Sequence, residues 1–537
     1  MKNTGLQSLD IVVFLIYFVA ISTYGVWIYR KKAKKEESSR DYFLAEGSLT
    51  FWAIGASLIA SNISAEHFIG MSGSGFAIGM AISSYEWMSA AALVVVAIFF
   101  VPVYLKNKIY TMPQFLRQRY NPLVATTMAV FWLLLYVFVN LTSILYLGAL
   151  ALEVTAGVDF TMAIVALACF AIIITIGGMK VIGYTDVIQV VVLVIGGLIT
   201  TYLAMDLVAE HFHKPNVISA FGTLKEQADS HFHMILNKDN PYYKDLPGLS
   251  VIIGSMWINN LNYWGCNQYI IQRTLGADLK TARTGILFAA FLKLMIPLIV
   301  VIPGVAAFVL HQNGMFQTEM MDAAGNLKPD HAYPVLLDLL PSGLKGIAFA
   351  ALTAAIVASL AGKANSISTI FTLDIYKQYI KPEASEKHLV RVGRMTVWGA
   401  MAIAVIIAPK LKVLDQAYQF IQEYSSFITP GVFAIFFLGM FWKKTTGNAA
   451  LLAAVMTIPL SVVFKFSMGD IPFLDRMGII FLILVAMIVV VSLVESGSKD
   501  NPKAIEIQSS DFTLNKSFMI CSILICGILA ALYSVFW

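Results

Sequence analysis

The chain has 537 residues, of which 58% are hydrophobic and only 13% charged, and its mean hydropathy is +0.76. That composition excludes an ordinary soluble enzyme. The formal net charge of +5 is a topology signal and not a nucleic-acid footprint, so the expected partners are a lipid bilayer and a small molecule, with no nucleic acid.

Apolar stretches near the roughly 20 residues needed to cross about 30 Å of hydrocarbon recur along the whole length. Fourteen are expected, at about 9–29, 50–79, 82–104, 123–153, 160–179, 184–208, 250–271, 284–311, 343–375, 394–409, 412–441, 446–466, 474–495 and 516–536. No basic n-region or small-residue cleavage site precedes the first, so that span is expected to be retained. Cys169, Cys266, Cys521 and Cys526 all fall within spans and read as packing residues, with no disulfide or metal-site spacing.

Lysine and arginine follow every second span. Arg30, Lys31, Lys32, Lys34, Lys35 and Arg40 follow the first; Lys106, Lys108, Arg117 and Arg119 the third; Arg273, Lys280 and Arg283 the seventh; Lys377, Lys381, Lys387 and Arg391 the ninth; Lys443 and Lys444 the eleventh. Those loops are expected in the cytoplasm, which places both termini outside a plasma membrane, a bacterial inner membrane by expectation. The loops at 209–249 and 312–342 then cap the outer face.

The second and seventh spans are broken by polar runs. The second reads ASLIASNISAEHFIG, with Asn62, Ser64, Glu66 and His67. The seventh reads SMWINNLNYWGCNQYIIQR, with Asn259, Asn260, Asn262, Asn267 and Gln268 around Tyr263 and Trp264. Lipid offers no hydrogen-bond partners, so such residues survive at that depth only against protein or a water-filled cavity. Broken helices at corresponding places in two halves point to a secondary transporter's binding site. Spans two to six and seven to eleven then form two five-helix halves of opposite orientation. The expected organisation is 1–49 as a first helix and basic loop, 50–208 and 250–441 as the two repeats, 209–249 as an external loop and 442–537 as three peripheral helices.

Glu86, Asp186, Lys293 and Lys363 are ionisable residues within spans, where a charge costs about 2.5–3.5 kcal/mol on insertion scales and signals function by default. Asp186 is near enough to a span end to snorkel. Amides, one acid, one lysine and a tyrosine ring suit a many-hydroxyl ligand such as a sugar. An amino-acid carboxylate would instead want exposed backbone N–H groups at a half-helix end.

SLIASNISAEHFIGMSGSGFAIGMAISSYEWMSA, NLNYWGCNQYIIQRTLGA, FAAFLKL, NSISTIFTLDIYKQY and FIQEY resemble the sodium/glucose cotransporter branch of the solute:sodium symporter family, from the first span to about residue 445. The resemblance implies an all-α integral membrane fold with an inverted-repeat, LeuT-type 5+5 core. It implies a sugar site in which Asn62, His67, Glu86, Ser89, Asn260, Lys293 and Gln422 bond hydroxyls. Tyr263 would stack on the ring as the inner gate, backed by Trp264, and Met71, Tyr85 and Tyr418 would form the outer gate. His67 departs from the Gln of the family's bacterial galactose transporters and matches the His of its animal glucose transporters. Tyr418 stands where a Phe is usual.

The resemblance further implies a sodium ion, as the coupled cation, held by carbonyls of Ala60, Ile63 and Ala355 and by two hydroxyls, of which Ser359 remains while Ala358 lacks its own. Asp186 would lie on the ion's exit path. Lys363, four residues after Ser359, shares its helix face. Two readings stand open. Either Lys363 points to the cytoplasmic vestibule and sodium binds, or its ammonium occupies or blocks the cation site, leaving proton-coupled or uncoupled transport. The overall expectation is a sodium-coupled symporter importing a glucose- or galactose-type hexose by alternating access. An intramembrane glycosidase is disfavoured because Glu86 has no sequence-evident second carboxylate, so no enzymatic activity is expected.

Overall fold

The computed structural model describes residues 6–32, 42–43, 49–321, 325–413, 417–496 and 499–537, with the side chains at 29, 31, 32, 413 and 417–420 outside the described set. Every regular element in it is helical. Ten helical runs among the described residues are long and apolar enough to cross a bilayer, and Phe51–Asn62, Phe160–Ile176 and Thr429–Phe441 are shorter apolar helices. The expected fourteen spans are recovered once the breaks are considered. Glu66–Lys106 is 41 residues long, about 60 Å at 1.5 Å per residue, twice the hydrocarbon thickness. Gly79, at φ +84°, divides it into the second half of span two and all of span three. A Cβ at Gly79 would sit 2.3 Å from the His231 carbonyl oxygen, so the loop at 209–249 closes directly over this turn. The seventh span, Val251–Leu275, is itself interrupted at Asn267.

The two faces sort as the loop charges require. Lys106 pairs with Asp511 at 2.7 Å, Arg283 donates to the Thr513 carbonyl, and Lys503 donates to the Tyr120 carbonyl. These contacts gather the basic loops with the 499–515 segment. On the opposite face Met234 N–H donates to the Phe536 carbonyl and Lys244 meets Asp470 at 3.0 Å. The C-terminus therefore shares a face with the 209–249 loop.

The long eighth span, Leu279–Gln312, is the central post. Spans two, three and six pack along it, and its backbone nearly touches the second span: a Cβ on Gly304 would fall 2.1 Å from the Ser72 carbonyl, and one on Gly75 2.8 Å from that of Val301. The GSGFAIG run thus serves close helix packing. The ninth span, Leu344–Thr369, lies against the sixth, Met179–His211. Its N-terminus is capped from elsewhere in the chain, where the buried Asp10 carboxylate of span one accepts from the N–H groups of Gly343 and Gly346. Large apolar side chains such as Ile16, Leu482, Val494 and Ile523 face outward, as lipid requires, while the polar residues turn inward.

Candidate substrate and cation site

Both breaks open onto one place. The helix Phe51–Asn62 ends where Ile63 turns extended, at φ −75° and ψ 122°, and the chain resumes as a π-helical turn, Glu66–Met71. The seventh span unwinds through a second π turn, Asn262–Cys266, into extended Asn267 before Gln268–Leu275. π turns recur at functional sites, and a third, Leu135–Leu141, brings Asn140 to the same cavity. That cavity has room for about 100 Å³ of water-sized occupancy. Its wall includes Asn62, His67, Glu86, Ser89, Asn260, Tyr263 and Gln422 from the expected sugar set, and also Glu66, Tyr269 and Lys363.

Its polar centre is a buried ion pair. Lys293 Nζ, fully buried, lies 2.5 Å from Glu86 Oε2 and also donates to Asn62 Oδ1. The ammonium stands 5.3 Å over the Trp264 ring. His67 Nε2 approaches the other Glu86 oxygen at 3.4 Å. Asn62 Nδ2 donates to the Tyr263 hydroxyl at 2.7 Å, and Tyr269 OH donates to the same oxygen at 2.5 Å. Ser89 Oγ meets Asn260 Oδ1 at 2.5 Å. The two halves of the chain are therefore joined across the cavity by side chains that can each exchange a partner for a ligand hydroxyl. Lys293 and Trp264, both in the expected sugar set, are not among the residues lining the cavity, and Lys293 contacts Glu86 and Asn62 from behind its wall.

Tyr263→Phe leaves the Asn62 and Tyr269 donors without their shared acceptor, which costs about 1–2 kcal/mol. Sugar affinity is expected to fall near tenfold, read as the change in half-saturating sugar; an unchanged affinity would contradict a role for this hydroxyl.

Of the expected outer gate, Tyr85 lines the cavity, whereas Met71 is fully buried and does not. The Tyr418 side chain lies outside the described residues. Gln422 sits on a helix, Ala417–Ser425, whose neighbouring Glu423 is gripped by Arg476 at 2.7 Å and Lys465 at 3.1 Å. The C-terminal spans thus anchor one wall of the site, a role that the sequence did not suggest for anything beyond residue 445.

The expected cation ligands lie beside the first break. Ending the helix at Asn62 leaves the carbonyls of its last turn without helical partners, and Ser359 Oγ donates to one of them, that of Ser61, at 3.0 Å. Ala60, Ile63, Ala355 and Ala358 are buried. Lys363 does not turn away to a vestibule: it is buried, its Nζ is 3.4 Å from Ser359 Oγ, and it stands 5.1 Å over the Tyr269 ring.

Arg273, counted in the sequence among the loop cations, is instead fully buried at the end of the seventh span. Its guanidinium donates to Ser57 Oγ at 2.8 Å, and also to Ser61 Oγ and the Tyr269 carbonyl. Ser57 in turn donates to Asp186 Oδ2. Asp186 therefore reaches the ninth-span stripe through a Ser57–Arg273–Ser61 relay. Gly362 makes room for it, since a Cβ there would sit 2.5 Å from Arg273 Nη2 and 2.7 Å from Ser61 Oγ. Gly362→Ala is expected to displace the guanidinium and destabilise the protein by about 1–3 kcal/mol, measured as a lowered thermal midpoint in detergent; a midpoint equal to wild type would show that the relay has slack.

Residues 42–457 match the Sodium:solute symporter family. A sodium/glucose cotransporter of Vibrio parahaemolyticus is 48% identical over 540 residues, 99% of both chains. The human sodium/myo-inositol cotransporter 2 is 34% identical over 483 residues, 86% of this chain and 70% of that one. Among solved structures, a Na+-coupled sialic acid symporter in a substrate-bound outward-open state shares the fold at TM-score 0.79 and 23% identity, over 92% of this chain and 100% of that one. Mhp1, a nucleobase-cation-symport-1 family transporter, does so at TM-score 0.51 and 14% identity, over 89% and 98%. The core is accordingly the inverted-repeat type with two broken helices, and the chain belongs to the sodium:solute symporter family.

Proposed function

We propose that the protein imports a glucose- or galactose-type hexose together with sodium by alternating access, with both termini outside a plasma membrane. The observation that carries this reading is the Glu86–Lys293–Asn62–Tyr263 network at the meeting point of the two broken helices. A neutral polyol can bond to that network without leaving a charge behind. The Vibrio relative, similar along its full length, is a sodium/glucose cotransporter.

In this reading Asn62, His67, Glu86, Ser89, Asn260 and Gln422 hold hydroxyls, Tyr263 covers the ring, and Lys293 and Trp264 support them from behind. Sodium is cargo here, bound at the first break by carbonyls of Ala60, Ile63 and Ala355 with the Ser359 hydroxyl. Asp186 lies on its way out. The repeats are assigned to 50–208 and 250–441, with the external loop 209–249 over them and helices 1–49 and 442–537 outside the core.

One sodium entering down about 100 mV supplies roughly 2.3 kcal/mol, and a tenfold gradient adds about 1.4 kcal/mol. Together these sustain several-hundred-fold accumulation, so a single cation site suffices. The test is initial uptake of labelled glucose, galactose and myo-inositol into proteoliposomes under an inward sodium gradient or an inward proton gradient. Accumulation of a hexose with sodium only is the expected result. Accumulation with protons only, or equilibration without accumulation, would overturn the coupling, and exclusion of all three sugars would overturn the substrate class.

A further inference from the structure

We infer that Lys363 is a tethered competitor for the coupling cation, setting how much sodium the transporter needs. The inference rests on the sodium-coupled reading above and adds to it a residue that tunes the cation step.

The geometry begins at the C-terminal end of Phe51–Asn62. Unpaired last-turn carbonyls carry the negative end of a helix dipole, and in broken-helix transporters such ends and the unwound carbonyls beside them hold the coupled ion. Ser359 Oγ is bonded to that end through the Ser61 carbonyl at 3.0 Å, and Lys363 Nζ is 3.4 Å from Ser359 Oγ. The ammonium is thus one hydroxyl away from the Ser61 carbonyl, which neighbours the Ala60 carbonyl expected to hold sodium. It is buried, only 2% exposed. It also lines the substrate cavity, whose wall carries Glu66 as well, so the acid available to it on displacement is Glu66.

The charges around the site point the same way. The acids buried in or facing this region are Glu66, Glu86 and Asp186; the bases, with the His67 imidazole beside Glu86 counted as uncharged, are Lys293, Arg273 and Lys363. Lys293 is paired with Glu86, and Arg273 is joined to Asp186 through Ser57. Glu66 accepts from Ser143 and Ser64, and Lys363 is the remaining base. Leaving Lys363 out gives two bases and three acids, a deficit of one positive charge that a sodium ion would fill. Including it makes the set neutral before sodium arrives. Sodium must then enter against an ammonium a few ångströms away, or drive that ammonium across to Glu66. At about 5 Å and an effective dielectric near 20, repulsion of this kind weakens binding by about two-hundredfold. The four-carbon stem is flexible enough for displacement, so the result is competition and not exclusion.

The experiment measures the sodium concentration for half-maximal hexose uptake by the full-length protein in proteoliposomes at fixed pH. Four proteins are compared: wild type, Lys363→Met, Lys363→Arg and Ala358→Ser. The methionine variant, which removes the charge and keeps the bulk, is expected to need at least tenfold less sodium than wild type. Lys363→Arg keeps the charge and is expected to stay within about threefold of wild type. Ala358→Ser adds an oxygen without touching the charge and is expected to lower the requirement by less than the methionine change does. A methionine variant needing as much sodium as wild type, within twofold, or more, overturns the inference, as does a methionine effect that Arg reproduces. Should the methionine variant fail to reach the membrane, Lys363→Gln, which still reaches Ser359, is read by the same criteria. Hexose counterflow by wild type, with equal saturating sodium on both sides of the membrane, keeps the two claims apart. Its absence refutes hexose transport itself, whereas counterflow with an unchanged sodium requirement in the variants refutes only the role of Lys363.

Discussion

Replacing Glu86 with Gln is expected to lower hexose uptake by at least a hundredfold. Lys293 is fully buried and Glu86 nearly so, and the 2.5 Å pair between them stands at the end of a chain running through Asn62 to Tyr263. Removing one partner strands an ammonium in a low-dielectric interior, at a cost of about 3–5 kcal/mol, and each 1.4 kcal/mol is tenfold in an equilibrium. The loss has two parts, which the double variant Glu86→Gln/Lys293→Met separates. It removes the stranded charge and is expected to recover membrane protein level and thermal midpoint. Uptake should stay low, because the carboxylate proposed to accept sugar hydroxyls is gone. Recovery of uptake along with stability would mean that Glu86 serves the fold and not the sugar.

Arg273→Met is expected to have the second largest effect. The side chain makes two hydrogen bonds that tie span seven to span two and a third to the Tyr269 carbonyl of its own span, and through Ser57 it is the nearest cationic support of the buried Asp186. Its loss leaves Asp186 uncompensated, again about 3–5 kcal/mol, and frees Ser61, whose carbonyl accepts from Ser359. Thermal midpoint and sodium-driven accumulation should therefore fall together. Adding Asp186→Asn is expected to return most of the stability, measured by thermal unfolding in detergent, without returning sodium dependence. A double variant no more stable than Arg273→Met would show that Arg273 and Asp186 are not energetically coupled.

The fold was legible because lipid permits few solutions: apolar runs of spanning length can only be helices, and polar interruptions in them can only face protein or water. The broken spans, Glu86 and Lys293 were accordingly visible as residues in the wrong solvent. Arg273 was not. It stands two residues past the expected end of span seven, where the loop-charge rule assigns a cation to the cytoplasm, and only the extra turn of Gln268–Leu275 carries it inside. Asn140 was hidden because a single amide in an apolar span gives no periodic signal; the π turn at Leu135–Leu141 is what rotates it to the cavity. The support of Glu423 by Lys465 and Arg476 joins residues some 40 and 50 positions apart, a separation at which no local pattern operates. The direction of Lys363 depends on a helix-face neighbour, Ser359. The shared face was readable from the i to i+4 spacing, but not the choice between turning to that hydroxyl and turning away.

The central claim is that one site couples a cation at the first break to a sugar at the meeting of the two. Coupling between two ligands is reciprocal at equilibrium, so the direct measurement is hexose binding to the purified full-length protein across a series of sodium concentrations, paired with sodium binding across a series of hexose concentrations. The account predicts that saturating sodium tightens hexose binding, by a factor of order 5–150, and that saturating hexose tightens sodium binding by the same factor. Hexose affinity that is the same with and without sodium would contradict it.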